Sequence, residues 1–218
     1  MLGQKIECFV EQTFKNPEKT EVKSEVYIYT AIDDYTKYIE LDPNDAIAYY
    51  NRGFSYRKLE EHEKAIDDCS KAIEIDPKYA NAYNNRSLSY VKLGEYEKAI
   101  DDCSKVIELD PNDATAYYNR GNGYRELGEY DKAISDNSKS IELDPDDPDV
   151  YNNRGLSYYS LKEYEKSIAD YDRTIELDPE FAMAYYHRGI CYRNLGQHEK
   201  AIEDNSKVIE LDPDNAHA

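Results

Sequence analysis

The sequence predicts an all-α protein, an α-solenoid of stacked antiparallel helix pairs, and three observations carry that prediction. Six of the eight prolines stand at Pro43, Pro77, Pro111, Pro145, Pro179 and Pro213, each 34 residues after the one before. Tyrosines keep the same register at Tyr49, Tyr83, Tyr117, Tyr151 and Tyr185, and again at Tyr56, Tyr90, Tyr124, Tyr158 and Tyr192. The composition, 40% hydrophobic against 33% charged, is thin for one compact core. A repeat solves that problem, because each unit buries only its own apolar stripe against its neighbour's. Disorder is disfavoured by the 23 tyrosines, since chains that cannot fold are typically poor in aromatics.

Taken in order, residues 1–26 read as a capping or degenerate helix. Leu2, Ile6, Phe9 and Phe14 have the spacing to cover the end of a stack, and the Asn16-Pro17 step ends it. Residues 27–45 match the second helix of a partial repeat through Ala31, Ile32, Ile39, Leu41 and Pro43. Full units follow at 46–79, 80–113, 114–147, 148–181 and 182–215, and residues 216–218 start a truncated further repeat. Inside a unit the first helix carries aromatic or small residues four and three apart, as at Tyr83, Ser87 and Tyr90, which puts them on one face. Gly94, Gly128 and Gly196 stand where a left-handed residue closes that helix. The second helix, for example Tyr96 to Leu109, turns Ala99, Ile100, Ile107 and Leu109 inward. Asp110-Pro111 stops it, because proline disfavours helical geometry in the residue before it. Asp45 and Asp113 are placed to cap the next first helix, and Pro148 after Asp147 occupies a favoured first-turn position.

Tyrosine, a small residue and a second tyrosine in the first helix, then alanine, isoleucines and proline in the second, resemble the tetratricopeptide repeat family. The resemblance covers residues 46–215. Ser87 in place of glycine and Ser167 in place of alanine are mild departures, and tyrosine stands where the family often has tryptophan. It implies a right-handed superhelix whose first helices line a concave face that binds protein or peptide partners. The superhelices of the O-linked N-acetylglucosamine transferases hold peptides on an asparagine ladder, a role only Asn51, Asn85, Asn119 and Asn153 match here, with His187 breaking the file. The chaperone-adaptor members grip a C-terminal carboxylate with Lys and Arg. The matching places here hold Tyr50, Phe54, Asn85, Thr115 and Asn119, so that clamp is not expected.

The candidate peptide-binding residues are Asn51, Asn85, Asn119 and Asn153, flanked by Tyr50, Tyr118, Tyr186, Asn122, Arg57, Arg125 and Arg193 on the same helices. Each amide offers donors and an acceptor to a peptide group, so a ladder of them suits an extended chain held by its backbone. The competing reading is that these asparagines bond neighbouring helices. Arg52, Arg86, Arg120, Arg154 and Arg188 recur with Asp68, Asp102, Asp136, Asp170 and Asp204 sixteen residues on, a spacing that favours an interhelical ion-pair ladder over a ligand site. Most acids fall on second helices and turns, whereas Arg57, Lys58, Lys92, Arg125 and Arg193 leave the first helices neutral to mildly basic. Attraction of a basic partner to the acidic rim is a further expectation.

A net charge of −19 argues against nucleic acid and anionic membranes as partners. No apolar run reaches the ~18 residues of a membrane-spanning helix. Cys8, Cys69, Cys103 and Cys191 lack the spacing of a disulfide framework or zinc site, and with no secretory signal a cytoplasmic location is the default. His187 and Cys191, four apart on one helix, make at most two ligands of a metal site. Gly121, Gly123 and Gly128 lack the terminal Lys-Ser/Thr of a phosphate loop. No cofactor, metal or catalytic set is therefore expected, and the reading is a non-catalytic scaffold that binds an extended peptide. Two alternatives stay open: a recruiting fragment of a larger enzyme, such as an O-linked glycosyltransferase, or an array that self-associates end to end.

Overall fold

The computed structural model describes residues 17–213, with side chains from Tyr27 onward. The helix expected around Leu2, Ile6, Phe9 and Phe14, and the further repeat at 216–218, lie outside those residues. The described residues form helices α1 (Pro17–Leu41), α2 (Ala46–Lys58), α3 (His62–Ile75), α4 (Ala80–Lys92), α5 (Tyr96–Leu109), α6 (Ala114–Glu126), α7 (Tyr130–Leu143), α8 (Pro148–Ser160), α9 (Tyr164–Leu177), α10 (Ala182–Asn194) and α11 (His198–Leu211). α1 runs unbroken across residue 26, with Pro17 as its first residue. The chain divides into two compact units, one ending at Gly94 and the other starting at Glu95. In the first, α1, α2, α3 and α4 pack in sequence and α2 also touches α4. In the second, α5 to α11 pack in sequence, and α8 touches both α6 and α10.

The local signals explain the helix ends. Asp45 accepts from the amides of Ile47 (2.8 Å) and Ala48 (3.1 Å), Asp113 from that of Ala116 (2.9 Å) and Asp147 from that of Asp149 (2.9 Å), caps that contribute about 1 kcal/mol each. Pro148 opens α8, where its missing N–H has no intrahelical partner to lose. Gly94, Gly128 and Gly196 have φ of +75°, +76° and +73°, the left-handed geometry that turns the chain from first helix to second. Glu60 and Lys162 hold the same place with φ of 59° and 62° despite their side chains. The second helices α3, α5, α7 and α9 end on an Asp-Pro step whose carboxylate accepts the amide two residues on, as in Lys78 N–H to Asp76 (2.9 Å) and Asn112 N–H to Asp110 (2.9 Å).

The core is a thin seam of small residues. Ala48, Ala65, Ala72 and Ala82 are buried in the first unit, and Ala99, Ala116, Ala133, Ala184 and Ala201 in the second. The inward face of α5 is Ala99, Asp102, Cys103 and Val106, whereas Ile100, Ile107 and Leu109, expected there, are half-buried. The same offset recurs in the other second helices. Among the described residues Tyr171 is the largest fully buried side chain. It occupies space that Gly155 leaves open, since a Cβ on Gly155 would lie 2.8 Å from the Tyr171 ring.

A candidate peptide-binding face on the first helices

The arginines at the seventh place of the first helices are committed to holding the stack. Arg52 donates Nε and Nη2 to Asp68, both at 2.7 Å, and Nη1 to Thr36 Oγ1 on α1 at 3.1 Å. In the second unit Arg120 forks onto Asp136 (2.7 and 2.9 Å) and reaches Ser104 (3.1 Å). Arg154 does so with Asp170 (2.8 and 2.6 Å) and Ser138 (3.0 Å), and Arg188 with Asp204 (2.9 and 2.6 Å) and Asp172 (2.6 Å). Each arginine thus ties its own second helix to the preceding one. Hydrogen bonds donated to Asp68 and Asp136 hold Arg52 and Arg120 above the ordinary arginine value. With their aspartates buried, these pairs are unavailable to a ligand. The third contact was legible only as the polar series Thr36, Ser70, Ser104, Ser138 and Asp172 at the 34-residue period.

The asparagine file splits in two. Asn85 and Asn153 are each 4% exposed and bonded inside the stack. Asn85 accepts from Arg57 Nε and donates to Cys69 Sγ (3.1 Å); Asn153 accepts from Arg125 Nε (2.6 Å) and donates to Asn137 Oδ1 (3.4 Å). Asn51 and Asn119 are half-exposed, and their amides make no hydrogen bond among the described residues. His187, at the equivalent place in α10, stacks on Tyr171 (5.8 Å between centroids) and meets the edge of Tyr186 (5.4 Å). Cys191 is buried and hydrogen-bonds Ser167 at 3.4 Å. No group of three or more His, Cys, Asp or Glu converges on a metal-binding arrangement among the described residues.

The Arg57–Asn85 and Arg125–Asn153 contacts, 28 residues apart in sequence, were not anticipated. Their signal is the alternation of units: Arg57, Arg125 and Arg193 fall in every second unit, where Tyr50, Tyr118 and Tyr186 also fall, and the units between carry Asn84 and Asn152 instead of tyrosine. Tyr50 packs on Tyr79 (5.1 Å) and Phe54 (6.3 Å). Burial, reinforced by Tyr50 and Asp45, pushes the Tyr79 phenol up to about 12. Tyr118 is raised by burial and by Asp149 and Asp147. Asn122 accepts from Arg125 Nη2 at 2.8 Å. Arg193 is exposed at the end of α10.

Among the described residues, five of the seven large apolar side chains exposed on the full units lie on first helices or at the turns that end them: Ile47 (60%) and Phe54 (38%) on α2, Leu93 (37%) after α4, Leu161 (36%) after α8 and Met183 (48%) on α10. Ile202 (65%) and Ile209 (51%) on α11 are the exceptions. Exposed second-helix surface is otherwise carried by charged pairs such as Lys71–Glu74 (2.7 Å) and Lys105–Glu108 (2.6 Å). No described helix is long and apolar enough to cross a membrane.

The repeat is recognised by three family profiles. One described as "Tetratricopeptide repeat" matches residues 46–79, 148–181 and 182–215, one described as "TPR repeat" matches 88–124 and 121–162, and a second "Tetratricopeptide repeat" profile matches 69–101. No curated protein matches the sequence. Among solved structures the chain is similar to YrrB, described as a TPR protein with an unusual peptide-binding site. They share 27% identity and a TM-score of 0.68, over 83% of this chain and 93% of that one. It is similar also to MamA, at 28% identity and TM-score 0.70 over 78% of this chain and 93% of that one. MamA 41-end from Desulfovibrio magneticus RS-1, at 24% identity and TM-score 0.73 over 78% and 97%, shares the fold. Helix pairs of one length, joined within each unit by the same Arg–Asp fork and matched by these profiles from residue 46 to 215, place the chain in the tetratricopeptide repeat family.

Proposed function

We propose that the chain is a non-catalytic protein-interaction scaffold that binds an extended peptide segment on the exposed face of its first helices. The observation that carries this reading is the contrast between faces. The first helices expose Ile47, Phe54 and Met183 beside half-buried tyrosines, while the second helices present mostly charged surface. The description of YrrB as having a peptide-binding site supports it. Within the proposed face, Asn51 on α2 and Asn119 on α6 are the amides free to meet a peptide backbone; Tyr50 and Arg57 share α2 with the first, Tyr118, Asn122 and Arg125 share α6 with the second, and Tyr186 and Arg193 lie on α10. Asn85 and Asn153 act through the stack, by fixing the arginines. Photo-crosslinking of a degenerate peptide pool to the folded chain tests the reading: crosslinks are expected on α2, α4, α6, α8 and α10. Crosslinks confined to second helices would sink it.

A second reading, self-association through the α11 face, is favoured by Ile202 and Ile209, which are exposed where the equivalent Ile66, Ile73, Ile134 and Ile141 are half-buried. Light scattering across a dilution series, with Ile209→Lys as the control, separates this from a monomeric scaffold.

A further inference from the structure

The α2–α4 face and the α6–α8 face share one skeleton, yet they differ in what the arginine at the equivalent place, Arg57 or Arg125, meets. Arg125 donates Nε to Asn153, and Nη2 to Asn122 (2.8 Å) and to Glu126 (2.5 Å), so its charge is answered within its own helix. Arg57 donates Nε to Asn85 and lies 5.1 Å over the Phe54 ring, with no carboxylate within ion-pair distance among the described residues. Lys58 stands over the same ring at 5.5 Å. Lys92, at the end of α4, is exposed and likewise has no ion pair among the described residues. Neither α2 nor α4 contains a single Asp or Glu. The nearby Asp45 is engaged by the α2 amides it caps.

Sixty-eight residues on, the α6–α8 face replaces each of these features. Ile47, Phe54, Lys58, Tyr79 and Lys92 correspond to Thr115, Asn122, Glu126, Asp147 and Ser160. In a chain of net charge −19, α2 and α4 are thus a cationic, apolar island. Burial without a carboxylate beside it also pulls Arg57 below the ordinary arginine value, the reverse of Arg52 and Arg120.

We propose that, among the peptide-binding first helices, α2 and α4 dock an acidic protein segment bearing an apolar anchor residue, a selectivity that α6 and α8 lack. The segment's carboxylates meet Arg57, Lys58 and Lys92, and the anchor covers Phe54 and Ile47. Charge complementarity selects this occupant: a basic segment would leave its own cations and these three unanswered, and the face offers no acid to receive them. Sequestering the guanidinium and Phe54 from water strengthens each charge-assisted contact. The proposal rests on the peptide-binding reading above and names the peptide's chemistry.

The test uses the full chain and a fluorescein-labelled decapeptide in which glutamate and aspartate alternate with leucine and phenylalanine, beside its glutamine/asparagine isostere and a lysine version, read by anisotropy. The acidic peptide is expected to bind at least about tenfold more tightly than the other two. The double variant Phe54→Asn/Lys58→Glu is expected to lose about tenfold with unchanged helicity, and Asn122→Phe/Glu126→Lys to add a second site. Equal binding of the isostere, or no loss in the Phe54→Asn/Lys58→Glu variant, overturns the proposal. If neutral or basic peptides crosslink to the first helices, the acidic preference falls and the scaffold reading stands. If no peptide binds the folded chain, both fall.

Discussion

The first helices of residues 46–92 and those of 114–160 are built to one plan and finished with opposite chemistry. Both carry a buried Arg–Asp fork and an arginine that reaches an asparagine in the following unit. One then presents Phe54 and Lys58, the other Asn122 and Glu126. The positions facing inward fix how helices stack, and the positions facing outward are free to vary without disturbing the stack. The sharpest way to break this comparison is at the shared part. Arg52→Ala and Arg120→Ala each leave a carboxylate, Asp68 or Asp136, buried without its counter-ion, and each is expected to cost about 3 kcal/mol. Chemical denaturation checks this: losses that are small, or very different at the two sites, would show that the skeleton is not common to both.

Next in size is the alternating arginine. Arg125→Met strips Asn153 of its donor in a nearly dry site and frees Glu126, and is expected to destabilise by about 1–2 kcal/mol. Arg57→Met removes one such bond, to Asn85, but also a half-buried cation with no carboxylate beside it, so its loss is expected to be smaller. Equal losses would mean that Arg57 is as well compensated as Arg125. That would weaken the case for an unanswered charge on α2.

Much of this skeleton could be read in the sequence because a period of 34 residues makes every contact recur. Arg120 and Asp136 are visible as a pair only because Arg52 and Asp68, Arg154 and Asp170, and Arg188 and Asp204 repeat the same separation. Helix ends followed from Asp45, Asp113, Pro148 and the three left-handed glycines, whose chemistry is local. The asparagine file was harder. One column of identical residues held two environments, because what buries Asn85 and Asn153 is an arginine 28 residues earlier, present in alternate units. Periodicity read one unit at a time averages that away. The buried face of the second helices differs from the isoleucine face expected because isoleucine outranks aspartate and asparagine in hydrophobicity, whereas Asp136 is admitted to the core of α7 by the Arg120 fork.

The turn between the paired helices offers a smaller test. Gly94, Gly128 and Gly196 take the left-handed conformation without strain, but Glu60 and Lys162 adopt it with a Cβ. Lys162→Gly and Glu60→Gly are each expected to stabilise by about 1 kcal/mol, and Gly128→Ala to destabilise by a similar amount. Thermal unfolding of the three variants reads the sign directly. A destabilised Lys162→Gly would mean that the lysine contributes something at that turn beyond its backbone.

α10 repeats the outward pattern of α2 and α6 through Tyr186 and Arg193 but substitutes His187 for the asparagine. Burial, with the Arg125 charge second, holds this imidazole below its ordinary value. Its folded pKa therefore lies under that of the unfolded chain, near ~6.5. Above that pH the ring is neutral in both states and its packing on Tyr171 is fully available. As pH falls through ~6.5 the unfolded chain takes up the proton first, so the stability contributed by the neutral ring is lost progressively toward the folded value. The His187→Asn variant lacks that dependence. The unfolding free energies of the two proteins in urea are expected to diverge by up to about 1 kcal/mol between pH 7 and 5.5, with the parent falling faster. Parallel curves would mean that His187 titrates as it does in water, and that the stack around Tyr171 is open enough to hydrate a charged ring.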